Sequence, residues 1–396
     1  MAERHGRFAR NPLSLRNRER VVGAFFRTTT RWVGLRPELI PAHMRQQLRM
    51  IGIGDAELGH VVRNLRSLAD WPYAWEAQGD RHAAHAEWSQ AASAYYLAQR
   101  VLLTDTALKR RLYRMAVDAY ERIDHVRPLE HLHVHSPVGE TIAGYLQVPD
   151  SATPVPLVVI VPGVTACKEE FHVFSEPLLR RGYAVARIDS PGYGETTGRL
   201  IYESRNNPAT VIKELMHDPR IDSDRMHLFG MSLGAHWVLH SALEAPIRSA
   251  VVVAPSIETE SFIHDVPASN ITAISHMMGT VDFDDVVALG RRLSLVDRIG
   301  ELTAPIRIFH GARDRTIPLS QSQELAQTVG GPVALTVYDR AHHNCLENFD
   351  EMMGATLDWL ADPTPAIAAY QREMLATVFD DAAAPSIAAS RVPRTA

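Results

Sequence analysis

The sequence contains only two cysteines, Cys167 and Cys345, among its 396 residues. Two thiols cannot build the disulfide framework of a small secreted domain, so a reducing, cytoplasmic setting is expected. No apolar run approaches the ~20 residues of a membrane-spanning helix. The opening MAERHGRFARNPLSLRNRER lacks the apolar centre of a secretory signal. Charge of one sign is not in surplus either. Lysine and arginine number 41 against 46 acids, a formal net charge of −5, which gives no reason to expect a nucleic-acid or membrane partner. The local exception is Arg4, Arg7, Arg10, Arg16, Arg18 and Arg20, read as a solvated terminus in preference to a phosphate-binding arm. There is no HExxH and no Cys/His cluster at ligand spacing, so no metal is expected. PGYGETTG lacks the Lys-Ser/Thr that grips phosphate, and no cofactor is expected.

The texture of the chain then divides it. Residues 1–130 read as helix, with Trp75, Ala83, Ala86, Ala91, Tyr95 and Leu97 forming a stripe at three- and four-residue spacings. Residues 131–362 open with a hairpin over HLHVHSPVGETIAGYLQVP. They continue as apolar strands alternating with amphipathic helices, which implies a mostly parallel sheet covered on both faces. The alternation is interrupted at about 257–300 by a helix-rich insertion, read as a cap over the carboxyl edge. Residues 363–396 are a C-terminal helix and a small, polar tail read as disordered from DDAAAP onward. The expected fold class is α/β.

Gly230-Met231-Ser232-Leu233-Gly234 is a G-x-S-x-G with a strand before it and a helix after it, the context of a nucleophile elbow. The turn from strand to helix strains the serine backbone, and flanking glycines remove side chains that would clash. A serine needs a base, and the base an orienting acid. Asp314 follows the strand PIRIFHG, and His342 and His343 follow VALTVYD, so both loops open on the edge holding Ser232. Asp222, Asp224 and Asp339 are less suitable by position, and His133, His135, His227 and His240 read as surface or core. The residues alone leave His342 and His343 open. The oxyanion donors are taken as the backbone N–H of Met231, beside Ser232, and of Val164, after Gly163. The plainer reading of PGVTACKEE is a loop with Lys168, Glu169 and Glu170 as first-turn charges.

With these residues in place the chain resembles the α/β-hydrolases, in particular the branch of 2,6-dihydroxypseudooxynicotine hydrolase and fungal polyketide-shortening hydrolases. The resemblance runs from about Asp70 to Asp362. It rests on Trp71 and Trp75, PGVTACKEE, DSPGYGET, GMSLGA, HGARDRTIP and AHHNCLEN. It implies an N-terminal helical lid domain and His343 as the base. It also implies a bulky, natural-product-like substrate cut at an ester or carbon–carbon bond next to a carbonyl, and a homodimer. Ala235 stands where relatives commonly carry a second glycine. For substrate binding, Glu258, Glu260 and Asp265 are candidates for a further pocket carboxylate, with His276 on the cap. Three alternatives accompany this reading. One is acyl transfer or elimination of a carboxylate by the same triad, as in antibiotic biosynthesis. Another is a non-catalytic ligand-binding protein, and the last a Cys167 or Cys345 nucleophile.

Overall fold

Strands whose residues are apolar on both faces must be covered on both, and this requirement organises the molecule. The structure is a computed structural model that describes residue 40, residues 42–104 and residues 106–383. The arginine-rich opening and the last thirteen positions lie outside the described residues. Eight strands run β1 Glu130–His135, β2 Thr141–Gln147, β3 Val155–Val161, β4 Ala184–Ile188, β5 Ile221–Met231, β6 Ser249–Val253, β7 Ile306–Gly311 and β8 Val333–Tyr338. They form one sheet in the order β1-β2-β4-β3-β5-β6-β7-β8. β1 and β2 pair antiparallel, as do β2 and β4, and every other pairing is parallel.

Alternate residues of each parallel strand go to opposite cores. Leu157, Val159 and Leu228 join one layer, where Trp237 and Leu239 of the helix after β5 pack. Val158, Ile160 and Phe229 join the other, with Phe174 and Leu178 of the helix after β3 and Trp359 of a late helix. This is the arrangement expected of a βα-alternating chain. The last helix, Thr364–Ala383, continues through Asp380, Asp381 and the two alanines beyond, the first part of the segment read as a disordered tail.

Among the described residues five α-helices precede the sheet: α1 Ala42–Met50, α2 Asp55–Arg63, α3 Trp71–Ala84, α4 Trp88–Arg100 and α5 Ala107–Tyr120. One of their cores is their own, built on Trp75, Val62, Leu97 and Leu112. The second is shared: Ala91, Tyr96, Ala116 and Tyr120 pack with Tyr145 of β2 and Cys167 of the loop after β3. Alanines on the buried side of α4 allow that close approach. The insertion after β6 carries helices Ala268–Met278 and Phe283–Arg292. The Met277 carbonyl accepts the Leu200 N–H at 2.9 Å, which brings this insertion against the loop after β4. Among the described residues no helix is long and apolar enough to cross a membrane.

Candidate active site

Ser232 sits between β5 and the helix Leu233–Ala242 with φ 55° and ψ −121°, a backbone region that L-residues rarely adopt. The glycines around it explain how the turn is possible. A Cβ on Gly230 would lie 2.5 Å from the Gly234 carbonyl oxygen, and one on Gly234 would lie 2.1 Å from the Val161 carbonyl oxygen. The Ser232 N–H is fixed by the Val253 carbonyl at 2.9 Å, so the hydroxyl is held at the sheet's carboxyl edge.

Two more loops arrive at the same edge. The Ser232 hydroxyl lies 2.9 Å from His343 Nε2, and His343 Nδ1 lies 2.6 Å from Asp314 Oδ2. Asp314 accepts the N–H groups of Thr316 and Ile317 on its other oxygen, at 2.7 and 3.0 Å. Burial pushes its carboxyl up, but the His343 contact and the two N–H donors outweigh this and hold it below the ordinary carboxylate range. The paired histidines part company here: His342 Nδ1 is taken by Glu347 at 2.6 Å, whereas His343 turns to Ser232. Asn344 and Cys345, at φ 70° and 55°, make the turn that allows it.

The loop after β3 reaches the nucleophile as well. A Cβ on Gly163 would sit 3.4 Å from Ser232 Cβ and 3.9 Å from its Oγ, ordinary contact distances that place this loop beside the nucleophile, and the buried Val164 follows. The Met231 assignment needs correction. Met231 is the last residue of β5, in register with Val253, and it precedes Ser232. The residue after Ser232 is Leu233, whose N–H opens a helix and has no intrahelical acceptor. Leu233 therefore replaces Met231 as candidate donor beside Val164.

The remaining candidates have other surroundings. Glu258 accepts from the Ser261 N–H and from Gln321 Nε2 at 3.0 and 2.9 Å, closing its own loop. Glu260 pairs with Arg291 on the surface, Asp265 is exposed, and His276 is half-buried on the cap. Burial raises the Cys345 thiol, and burial with Asp189 and Glu169 raises that of Cys167. Neither is poised as a thiolate.

Sequence reasoning missed what surrounds Lys168. It is buried, its ammonium 2.6 Å from Glu169, 3.0 Å from Asp189 and 2.6 Å from Glu195. Burial opposes its charge, and Asp189 and Glu169 more than restore it, raising the pKa. Burial also lifts the Glu169 carboxyl to about 7, against the pull of Lys168. Asp189 accepts the backbone N–H of Lys168 and of Glu195, and a Cβ on Gly194 would strike its carboxylate at 2.2 Å. DSPGYGET is thus a loop wrapped round a carboxylate. His310, fully buried, was also missed. Its ring lies 2.7 Å from the Ser322 hydroxyl and 3.2 Å from the Ile317 carbonyl, bracing the Asp314 loop. The only signal for it was the His-Gly pair ending β7.

Comparison with known proteins agrees with this architecture. The 2,6-dihydropseudooxynicotine hydrolase of Paenarthrobacter nicotinovorans is 25% identical over 223 residues, 55% of this chain and 60% of that protein. Esterase FrsA of Enterobacter sp. (strain 638) is 23% identical over 252 residues, 58% of this chain and 61% of that one. The chain thus spans about three fifths of the length of these curated relatives. The crystal structure of the 2,6-dihydroxy-pseudo-oxynicotine hydrolase superposes with a TM-score of 0.70 at 20% identity, over 82% of this chain and 96% of that one. The fold is that of the α/β-hydrolases. The family model described as "Esterase FrsA-like" matches residues 69–297, more than half of the sequence, and the chain belongs to the FrsA-like esterase family.

Proposed function

We propose that the protein is a serine-dependent hydrolase acting on an ester, or on a carbon–carbon bond next to a carbonyl, in a bulky substrate enclosed by the helical domain and cap. The observation that carries this is the continuous pair of contacts Ser232 Oγ–His343 Nε2–Asp314 Oδ2, at 2.9 and 2.6 Å. Family membership and two relatives named as a hydrolase and an esterase support it. Ser232 attacks the acyl carbon while His343 takes its proton, and Asp314 holds the ring and stabilises the imidazolium. The oxyanion is met by the N–H groups of Val164 and Leu233 at a helix N-terminus, where the dipole favours negative charge. His343 returns the proton to the leaving group, and water then releases the acyl group from Ser232.

The test is labelling with a fluorophosphonate probe, followed by mass spectrometry of the modified peptide. Label on Ser232 in the wild type and none in Ser232→Ala is expected, with turnover of p-nitrophenyl butyrate reduced about 10⁵-fold in the variant. A folded wild type that takes no label at Ser232 would overturn the reading.

A further inference from the structure

The proposed triad uses three loops of the sheet and nothing from α1–α5. Yet contacts from α4 and α5 converge on four residues, Cys167 to Glu170, that follow Val164 by only a few positions. The Cys167 N–H donates to the Tyr96 hydroxyl at 2.9 Å and, more weakly, to Glu170 Oε2 at 3.2 Å. Glu170 is in turn held by Arg100 at 2.7 Å. Tyr96 and Arg100 stand four residues apart on α4, so one face of one helix grips both ends of the turn. From α5, the Tyr113 hydroxyl accepts from Lys168 Nζ at 3.2 Å. On the other side Tyr193 donates to the Thr165 carbonyl at 3.2 Å. Tyr96 and Cys167 are buried at 4% and 1% exposure, so water does not compete for the N–H.

A simpler account would make the buried Cys167, Glu169 and Asp189 a metal site, since their donor atoms lie within 4.8 Å of one another. The Lys168 ammonium already sits on both carboxylates and supplies the positive charge there. What the contacts do instead is fix a backbone. Cys167 is three positions beyond Val164, a reach of at most about 11 Å. Gly163 lies beside Ser232 at one end and α4 binds Cys167 at the other, so the backbone that carries the Val164 N–H is bounded on both sides.

We infer that the helical domain sets the oxyanion hole, with Tyr96 and Arg100 as positioning residues that act on the Val164 N–H through the Cys167–Glu170 turn. This rests on the triad reading. An oxyanion donor removed outright costs about 10²–10³ in rate; a donor left free to shift loses part of that, and does so in the transition state.

The experiment measures p-nitrophenyl butyrate kinetics, fluorophosphonate labelling rate and thermal midpoint for the full chain and three variants. Tyr96→Phe is expected to lower kcat about tenfold with KM within about twofold, and to slow labelling by the same factor. Arg100→Gln, at a half-exposed position the fold tolerates, is expected to give a smaller loss, again in kcat and labelling and not in KM. Trp71→Phe removes a 2.7 Å bond to the Leu97 carbonyl inside the same domain and is expected to leave both rates unchanged. Wild-type rates in Tyr96→Phe and Arg100→Gln would overturn the inference. So would an equal slowing in Trp71→Phe, because the effect would then belong to domain stability at large. A wild type unlabelled at Ser232 would sink the triad reading first, and this inference with it.

Discussion

Two charged groups lie within one loop of each other and are built on opposite terms. Ser232, His343 and Asp314 are joined by two bonds, one at each ring nitrogen of His343, on a histidine side chain still 23% exposed. Lys168 is 1% exposed and bound by three carboxylates and a tyrosine hydroxyl. In the mechanism proposed above a proton passes through the first group, and its histidine stays partly open to solvent. In the second, every donor of the ammonium is taken. A buried charge is strong evidence for position and weak evidence for chemistry.

That contrast can be broken from either side. Asp314→Asn should lower kcat by about 10⁴, because an amide facing Nδ1 favours the tautomer that cannot accept the serine proton. The Thr316 and Ile317 bonds remain, so the thermal midpoint should hardly change. Turnover and calorimetry measured together would check this, and a comparable loss of stability would erase the distinction. Lys168→Met should do the reverse at the level of folding. It strands Asp189 and Glu169 in the interior, and denaturant unfolding should show a loss of about 3–5 kcal/mol.

The smallest effect is one of pH. Glu169 has its pKa raised from 4.5 to about 7 by burial. The folded state therefore keeps its proton where the unfolded state has lost it, and stability falls as pH rises through that window. Glu169→Gln removes this loss. Relative to wild type, the variant's midpoint should improve from pH 5 to pH 8, as thermal melts would show. A difference independent of pH would mean that Glu169 is ionised throughout.

Much of this was legible in the residues. The strands announced themselves because both faces are buried, leaving uninterrupted runs such as PLVVIVPG, and the elbow because its glycines answer a steric need. Less legible were features that depend on what a neighbour does. His342 and His343 are identical in type, and Glu347, five residues on, takes the first. The oxyanion donor was misplaced at Met231 because that residue was taken to follow the serine, whereas in Gly230-Met231-Ser232-Leu233 the residue that follows, and that opens the helix, is Leu233. Lys168, Glu169 and Glu170 entered only as first-turn charges in the plainer reading of their loop, since nothing local says that α4 and α5 will cover them.

The bond between Ser232 and His343 joins residues 111 positions apart, and the one between His343 and Asp314 spans 29. Three separate strands, β5, β7 and β8, must be in register before either can exist. Contacts this distant in sequence form late, after local helices and early collapse. In refolding experiments, then, helical signal is expected to return before fluorophosphonate labelling of Ser232 does, with labelling marking the moment at which the far edge of the sheet closes.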